Sequence, residues 1–173
     1  MRLHLLCEDR LHESVVRRFC DASRIRLERV FVAPRAKGAA SAWVIAQYAG
    51  RVADFRSKAN HQQNLALLAV IDGDNQGCAE RKRVLDERLA TNGRQAAERI
   101  LVWVPTWSVE TWLEWLGGNT SVTESQSYKS ATNQMPLTAA FGQALRNAFK
   151  TPGPAPLSSL TDARLEWQRF PDK

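Results

Sequence analysis

At 173 residues, 44% apolar and 24% charged, the chain has the length and composition of one globular domain, with room for a small appendage. No apolar run approaches the roughly 20 residues that a membrane helix needs, and the opening "MRLHLLCEDR" returns to charge too soon for a secretory leader. The net charge of +6 is uneven: the first 60 residues carry 12 Lys/Arg against 6 Asp/Glu, and the rest carry 12 against 12. That excess attracts a phosphate-bearing partner at long range, or simply keeps the surface solvated. Cys7, Cys20 and Cys78 form an odd set at no metal-type spacing, as expected of free thiols in a reducing cytoplasm.

Taken in order, Arg2–Cys7 reads as a short buried strand. His12–Arg24 follows as a helix with Val15, Val16, Phe19 and Ala22 at helical spacing. Arg29–Pro34 is a second strand closed by proline, then a small basic loop, Arg35–Ser41. Ala42–Lys58 is a helix interrupted by Gly50. Leu65–Ile71 is a third strand, apolar without alternation, which is the pattern of a strand covered on both faces. Cys78–Gly93 is a helix closed by Asn92-Gly93, and Arg99–Pro105 a fourth strand. Ser108–Gly118 is a helix with Ser108 as N-cap and an apolar stripe of Val109, Trp112, Leu113 and Leu116. A polar loop leads to a helix over Pro136–Lys150. The organisation expected is a main domain over 1–150, then the proline-rich linker Thr151–Pro156 and a tail to 173 that docks on the body.

Strand and helix alternating four times predicts an α/β fold: a mainly parallel sheet of about four strands with helices on both faces. Right-handed crossovers put every strand's C-terminal end on one edge, where such folds bind ligands. The acids fall there. Glu8 and Asp9 follow the first strand, Asp72 and Asp74 the third, and Ser108 and Glu110 the fourth. Gly73 between the two aspartates is expected to permit a tight turn. Several carboxylates in one place repel one another unless a cation compensates, and hard oxygen donors select Mg²⁺, Mn²⁺ or Ca²⁺ over zinc. Each piece alone also has an ordinary reading as a solvated loop or a helix-start charge.

The order Glu after the first strand, Asp-x-Asp after the third, with alternating β and α elements between, resembles the Toprim superfamily. More narrowly, the chain is similar to the OLD-type and small RloB-like nucleases. "CEDRLHES" supplies Glu8 and a second acid, Glu13, opening the helix, with Asp9 where that branch has glycine. "PTWSVETWLEWL" matches its Ser-x-Glu with Ser108 and Glu110, and "SYKS" offers its later lysine as Lys129. The likeness spans about residues 2–135. It implies a Toprim-like catalytic domain and Mg²⁺- or Mn²⁺-dependent cleavage of nucleic-acid phosphodiesters. In that picture Asp72 and Asp74 ligate one metal, with Glu110 and Ser108 nearby. Glu8 and Glu13 serve a second ion or act as general acid and base. Lys129 stabilises charge on the phosphoryl oxygens, and Arg10, Arg17, Arg18, Arg35 and Lys37 hold the flanking DNA or RNA backbone. The resemblance further implies a prokaryotic anti-phage defence role with an ATPase or other protein partner.

Other features have plainer readings. Trp103 and Trp112 sit in a strand and on an apolar stripe, so they are expected in the core, while Trp107 and Trp115 suit a partner surface. His12 lies between the two acids; a catalytic role is one reading, but with no paired cysteine or second nearby histidine it reads as a helix-start residue. Arg35–Gly38 lacks the spacing of a nucleotide-triphosphate loop. The function expected is a metal-dependent nuclease. The alternative is a non-catalytic module of a defence complex in which the acids serve structure, and a primase- or phosphatase-like enzyme on the same fold is a third reading.

Overall fold

The third strand is the axis of the molecule. In the computed structural model, which describes residues 1–35, 39–74, 76–89, 93–129, 136–151 and 157–169, β3 (Leu65–Val70) is buried along its whole length. It lies between β1 (Arg2–Cys7) and β4 (Ile100–Trp103), with β2 (Arg26–Val32) outside β1. The order is β2-β1-β3-β4 and every pairing is parallel, giving a Rossmann-like α/β sheet. The remaining elements are α1 (Arg10–Ser23), α2 (Ala40–Ala59), α3 (Gly77–Glu87), α4 (Val109–Leu116), α5 (Ala139–Lys150) and α6 (Ser158–Gln168).

Strand alternation divides the core in two. Leu3, Leu5, Cys7, Ala66, Leu68, Val70, Leu101 and Trp103 face one layer, which α1, α4, α5 and α6 cover. Leu6, Leu65, Leu67, Ala69, Ile71, Ile100 and Val102 face the other, against α2 and Leu85 of α3. A lack of polar alternation along β3 follows, because both faces are dry. Trp103 and Trp112 are fully buried as expected, and Trp107 and Trp115 are half-buried.

The path of the chain creates a crevice. From β1 it steps outward to β2 with α1 on one face; from β2 it returns past β1 to β3, then β4, with α2 and α3 on the other. Right-handed crossovers require this change of face when the direction reverses. The segments leaving β1 and β3 therefore diverge, and the gap between them is the topological switch point of the sheet.

The tail forms a helix that periodicity did not announce. Leu157, Leu160 and Ala163 enter the core, and the Glu166 carboxylate accepts the edge N–H of Val102 at 3.4 Å. Glu166 is also paired with Lys82, Arg94 and Arg169. Glu124, from the loop after α4, accepts the Ser158 and Ser159 N–H groups at 2.7 and 2.9 Å and so caps α6. Among the described residues no helix is long and apolar enough to cross a membrane. Lys37, Asn92, most of the proline-rich linker (152–156) and Phe170 lie outside the described residues.

Element boundaries differ where capping decides them. α1 begins at Arg10, two residues before the expected His12, because Asp9 accepts the His12 N–H at 2.9 Å. α3 ends at Glu87 rather than near Gly93.

Two helix glycines play opposite parts. A Cβ at Gly142 would lie 2.2 Å from the Arg18 carbonyl oxygen, so α5 approaches α1 through this missing side chain. A Cβ at Gly50 would meet nothing within 4 Å. Gly142→Ala is expected to destabilise the fold by about 1–3 kcal/mol through overpacking. Gly50→Ala should stabilise it by about 0.5–1 kcal/mol by restricting the unfolded chain. Urea denaturation of both variants checks the pair; equal effects would contradict the close α1–α5 contact.

Candidate functional site

β1 and β3 end side by side, with Cys7 opposite Val70. The next residues therefore meet at the switch point. Glu8 Oε1 accepts the Asp72 N–H at 2.8 Å. Burial, then the neighbouring Asp72 charge, pushes the Glu8 carboxyl up to about 7.

Asp72 is 5% exposed. Its Oδ1 receives His12 Nε2 at 2.9 Å and the Val109 N–H, at the start of α4, at 3.1 Å. Asp72 thus serves the N-terminus of α4 in place of a local cap. Ser108 occupies the N-cap position with extended backbone, but its buried hydroxyl makes no cap bond and has no hydrogen-bond partner among the described residues. This corrects the sequence expectation: the position is the cap, and the capping carboxylate comes from the turn after β3.

Gly73 also acts differently from expectation. Its φ is not positive; the positive φ, 46°, belongs to Asp74. A Cβ on Gly73 would stand 2.0 Å from the Thr106 carbonyl oxygen. The segments after β3 and β4 run in backbone contact, with Gly73 N–H donating to Pro105 O at 2.8 Å and Asp74 N–H to Trp107 O at 2.9 Å. Glycine is needed for this approach, and the left-handed turn falls on an aspartate, which tolerates it better than most residues.

The Asp74 carboxylate lies between two cations. Arg81 Nη2 donates to Oδ2 at 3.0 Å, while Arg81 Nε holds the Asp72 carbonyl at 3.0 Å. Lys129 Nζ lies 3.1 Å from Asp74 Oδ1 and 3.5 Å from Asp72 Oδ2. Burial opposes the Lys129 charge, but Asp74, Asp72 and Glu110 overcome it and raise its pKa.

His12 completes the charge balance. It is fully buried, and its Nδ1 lies 2.9 Å from Asp9 Oδ1. Both ring nitrogens face carboxylate oxygens, which only accept, so both carry hydrogens and the ring is an imidazolium. Burial alone would lower its pKa; Asp72 and Asp9 outweigh that and lift it to about 10. Burial likewise opposes ionisation of Asp9, but the His12 contacts bring it down to about 2.

Of the residues expected from sequence, Glu8, Asp72, Asp74 and Lys129 come together. Glu110 is half-buried in the first turn of α4, close enough for its charge to bear on Lys129. Glu13 makes ion pairs with Arg10 and Arg17. Arg18 Nε donates to the Leu137 carbonyl at 2.9 Å. Arg10 and Arg35 line an open cleft of about 700 Å³ beside Glu8, with Leu11 and Pro34 among its apolar walls. Lys37, expected beside them, lies outside the described residues. Arg81 was not expected here, and the sequence favours a helix-start role for His12 over a catalytic one, although both had a signal: His12 is one turn ahead of Val15 and Val16 on the same stripe, and Arg81 one turn ahead of Leu85.

Among the described residues no three His, Cys, Asp or Glu side chains stand ready as a metal cage. Two carboxylates do converge on one cation, the Lys129 ammonium, through Asp72 Oδ2 and Asp74 Oδ1. This all-oxygen pair fits Mg²⁺ or Mn²⁺, since Mg²⁺ is usually held by one or two carboxylates, retained waters and substrate phosphates.

His12 yields a pH prediction. Its folded pKa is raised from 6.5, so its stabilisation is complete below the unfolded value and is lost as pH rises toward about 10. ¹⁵N NMR at pH 8 is expected to show both ring nitrogens protonated; a neutral ring there would contradict the two-carboxylate geometry.

Compared with family models, with curated proteins and with solved structures, the chain finds no match in any of the three.

Proposed function

We infer that the chain is a Mg²⁺- or Mn²⁺-dependent nuclease acting on DNA or RNA phosphodiesters. The observation carrying this reading is the convergence of Asp72 Oδ2 and Asp74 Oδ1 on a single cationic nitrogen at the switch point, beside Glu8, whose carboxyl accepts the Asp72 N–H. Ligands bind at such a point in open α/β sheets. The order of the acids supports it too, through the resemblance to Toprim proteins of the OLD-type and RloB-like branch. That resemblance alone supports a role in prokaryotic anti-phage defence with an ATPase partner.

In this reading Asp72 and Asp74 hold the ion, which when bound supplies Lewis-acid stabilisation of a phosphoryl oxygen and activates water. Glu8, with a pKa of about 7, is suited to exchange a proton with water or a leaving oxygen near neutrality. Lys129 turns from its carboxylate partners toward the phosphoryl oxygens and balances their charge. Arg81 holds both the Asp72 carbonyl and the Asp74 carboxylate, fixing the turn between them. Arg10 and Arg35 offer positive charge to backbone phosphates along the adjoining cleft.

One observation favours a second reading, a non-catalytic interaction or regulatory module. Both Asp74 carboxylate oxygens are already satisfied, by Arg81 and by Lys129, so the acids could serve the fold alone.

Cleavage of labelled single- and double-stranded DNA and RNA, with and without Mn²⁺, separates the two. Activity should vanish with EDTA and return with Mn²⁺. Asp72→Asn and Asp74→Asn should each lower it by about 100-fold or more, as loss of a charge-stabilising group at a reacting centre does. Metal-independent activity, or no loss in either variant, rejects the nuclease site.

A further inference from the structure

The geometry points to His12 as a positioning residue for metal binding, which orients Asp72 through one carboxylate oxygen and leaves the other for the cation. This inference rests on the proposed metal site. Its basis is the division of labour on Asp72. Oδ1 faces the interior and takes two donors, His12 Nε2 at 2.9 Å and the Val109 N–H at 3.1 Å. Oδ2 faces Lys129, 3.5 Å from an ammonium on a half-exposed side chain. One oxygen is therefore locked and the other faces an exchangeable cation.

His12 is itself locked. Its ring is fully buried on α1, and Asp9 Oδ1 takes both its Nδ1–H and its backbone N–H, each at 2.9 Å. The cap of α1, the ring and Asp72 form one chain of contacts from β1 to β3. Rotating the Asp72 carboxylate would break its contacts to the buried His12 ring and to the Val109 N–H, so the protein itself sets its orientation. Partners that orient a metal-binding group from behind typically change affinity by about 10–100-fold when removed. His12 makes no described contact with Asp74 or Lys129, so Asp72 is the proposed ligand that it orients.

The test compares His12→Leu, which keeps the buried volume apolar, with His12→Gln, which retains a side-chain N–H donor. Mn²⁺ affinity is measured by calorimetry on the full chain, with folding checked by circular dichroism and urea denaturation. The Leu variant should bind Mn²⁺ about 10–100-fold more weakly, and the Gln variant should recover most of that loss. In cleavage assays saturating Mn²⁺ should restore much of kcat in the Leu variant, as expected for a residue that positions a ligand rather than touching the substrate. Asp9→Ser covers the case in which the Leu variant does not fold, because serine still caps α1 while the imidazole loses its anchor. It should weaken Mn²⁺ binding about threefold or more. A folded Leu variant, or failing that Asp9→Ser, with wild-type Mn²⁺ affinity overturns the inference and leaves the metal site standing. Wild-type protein that binds no Mn²⁺ overturns both.

Discussion

A carboxylate almost out of water governs the upper edge of this sheet. Asp72 is 5% exposed, and an unpaired charge at such depth costs several kcal/mol. The chain meets that cost with donors to the carboxylate from two helices, His12 of α1 and the first N–H of α4. The backbone of the same residue is held as well: the Glu8 carboxyl, just past β1, accepts the Asp72 N–H, and the Arg81 guanidinium of α3 donates to the Asp72 carbonyl. Lys129 closes the open side. Each element is thereby tied to the end of β3, and the geometry at the switch point follows from satisfying one buried charge.

His12, Arg81 and Lys129 bring three positive groups to Asp9, Asp72 and Asp74, so the acids need no metal in order to fold together. The three cations differ in how firmly they are held. His12 and Arg81 are buried, whereas Lys129 is half-exposed and reaches in from a loop. In the proposed metal site, Lys129 is therefore the cation that an incoming ion would displace. The same economy of buried carboxylates recurs at the far edge, where Glu166 takes an edge N–H of β4 and three basic partners, and Glu124 caps α6.

Much of this was legible in the chain. β3 was readable because six consecutive apolar residues cannot alternate and must be covered twice. The sheet type followed from the alternation of elements, and the placement of Glu8, Asp72 and Asp74 from their positions just past strand ends. Trp103 and Trp112 were readable as core for the same periodic reasons. α6 was less so: its stripe is weak, and what holds it includes the Glu124 bond to the Ser158 N–H and the Glu166 bond to the Val102 N–H, contacts that span 34 and 64 residues of chain.

What local pattern could not supply was the pairing of donors with acceptors. Periodicity places His12 on the buried stripe of α1, yet nothing nearby says that its ring bridges Asp9 and Asp72, 60 residues apart at the farther contact. Ser108 looks like a cap by position, but a cap is defined by which oxygen reaches the free N–H, and Asp72 reaches it first. Gly73 suggests a turn, and only the Thr106 carbonyl pressed against it shows that close packing is the reason for glycine. Short-range spacing decides which face a residue lies on; a hydrogen bond depends on the relative placement of two elements, and that is set by the packing of the whole sheet and its helices.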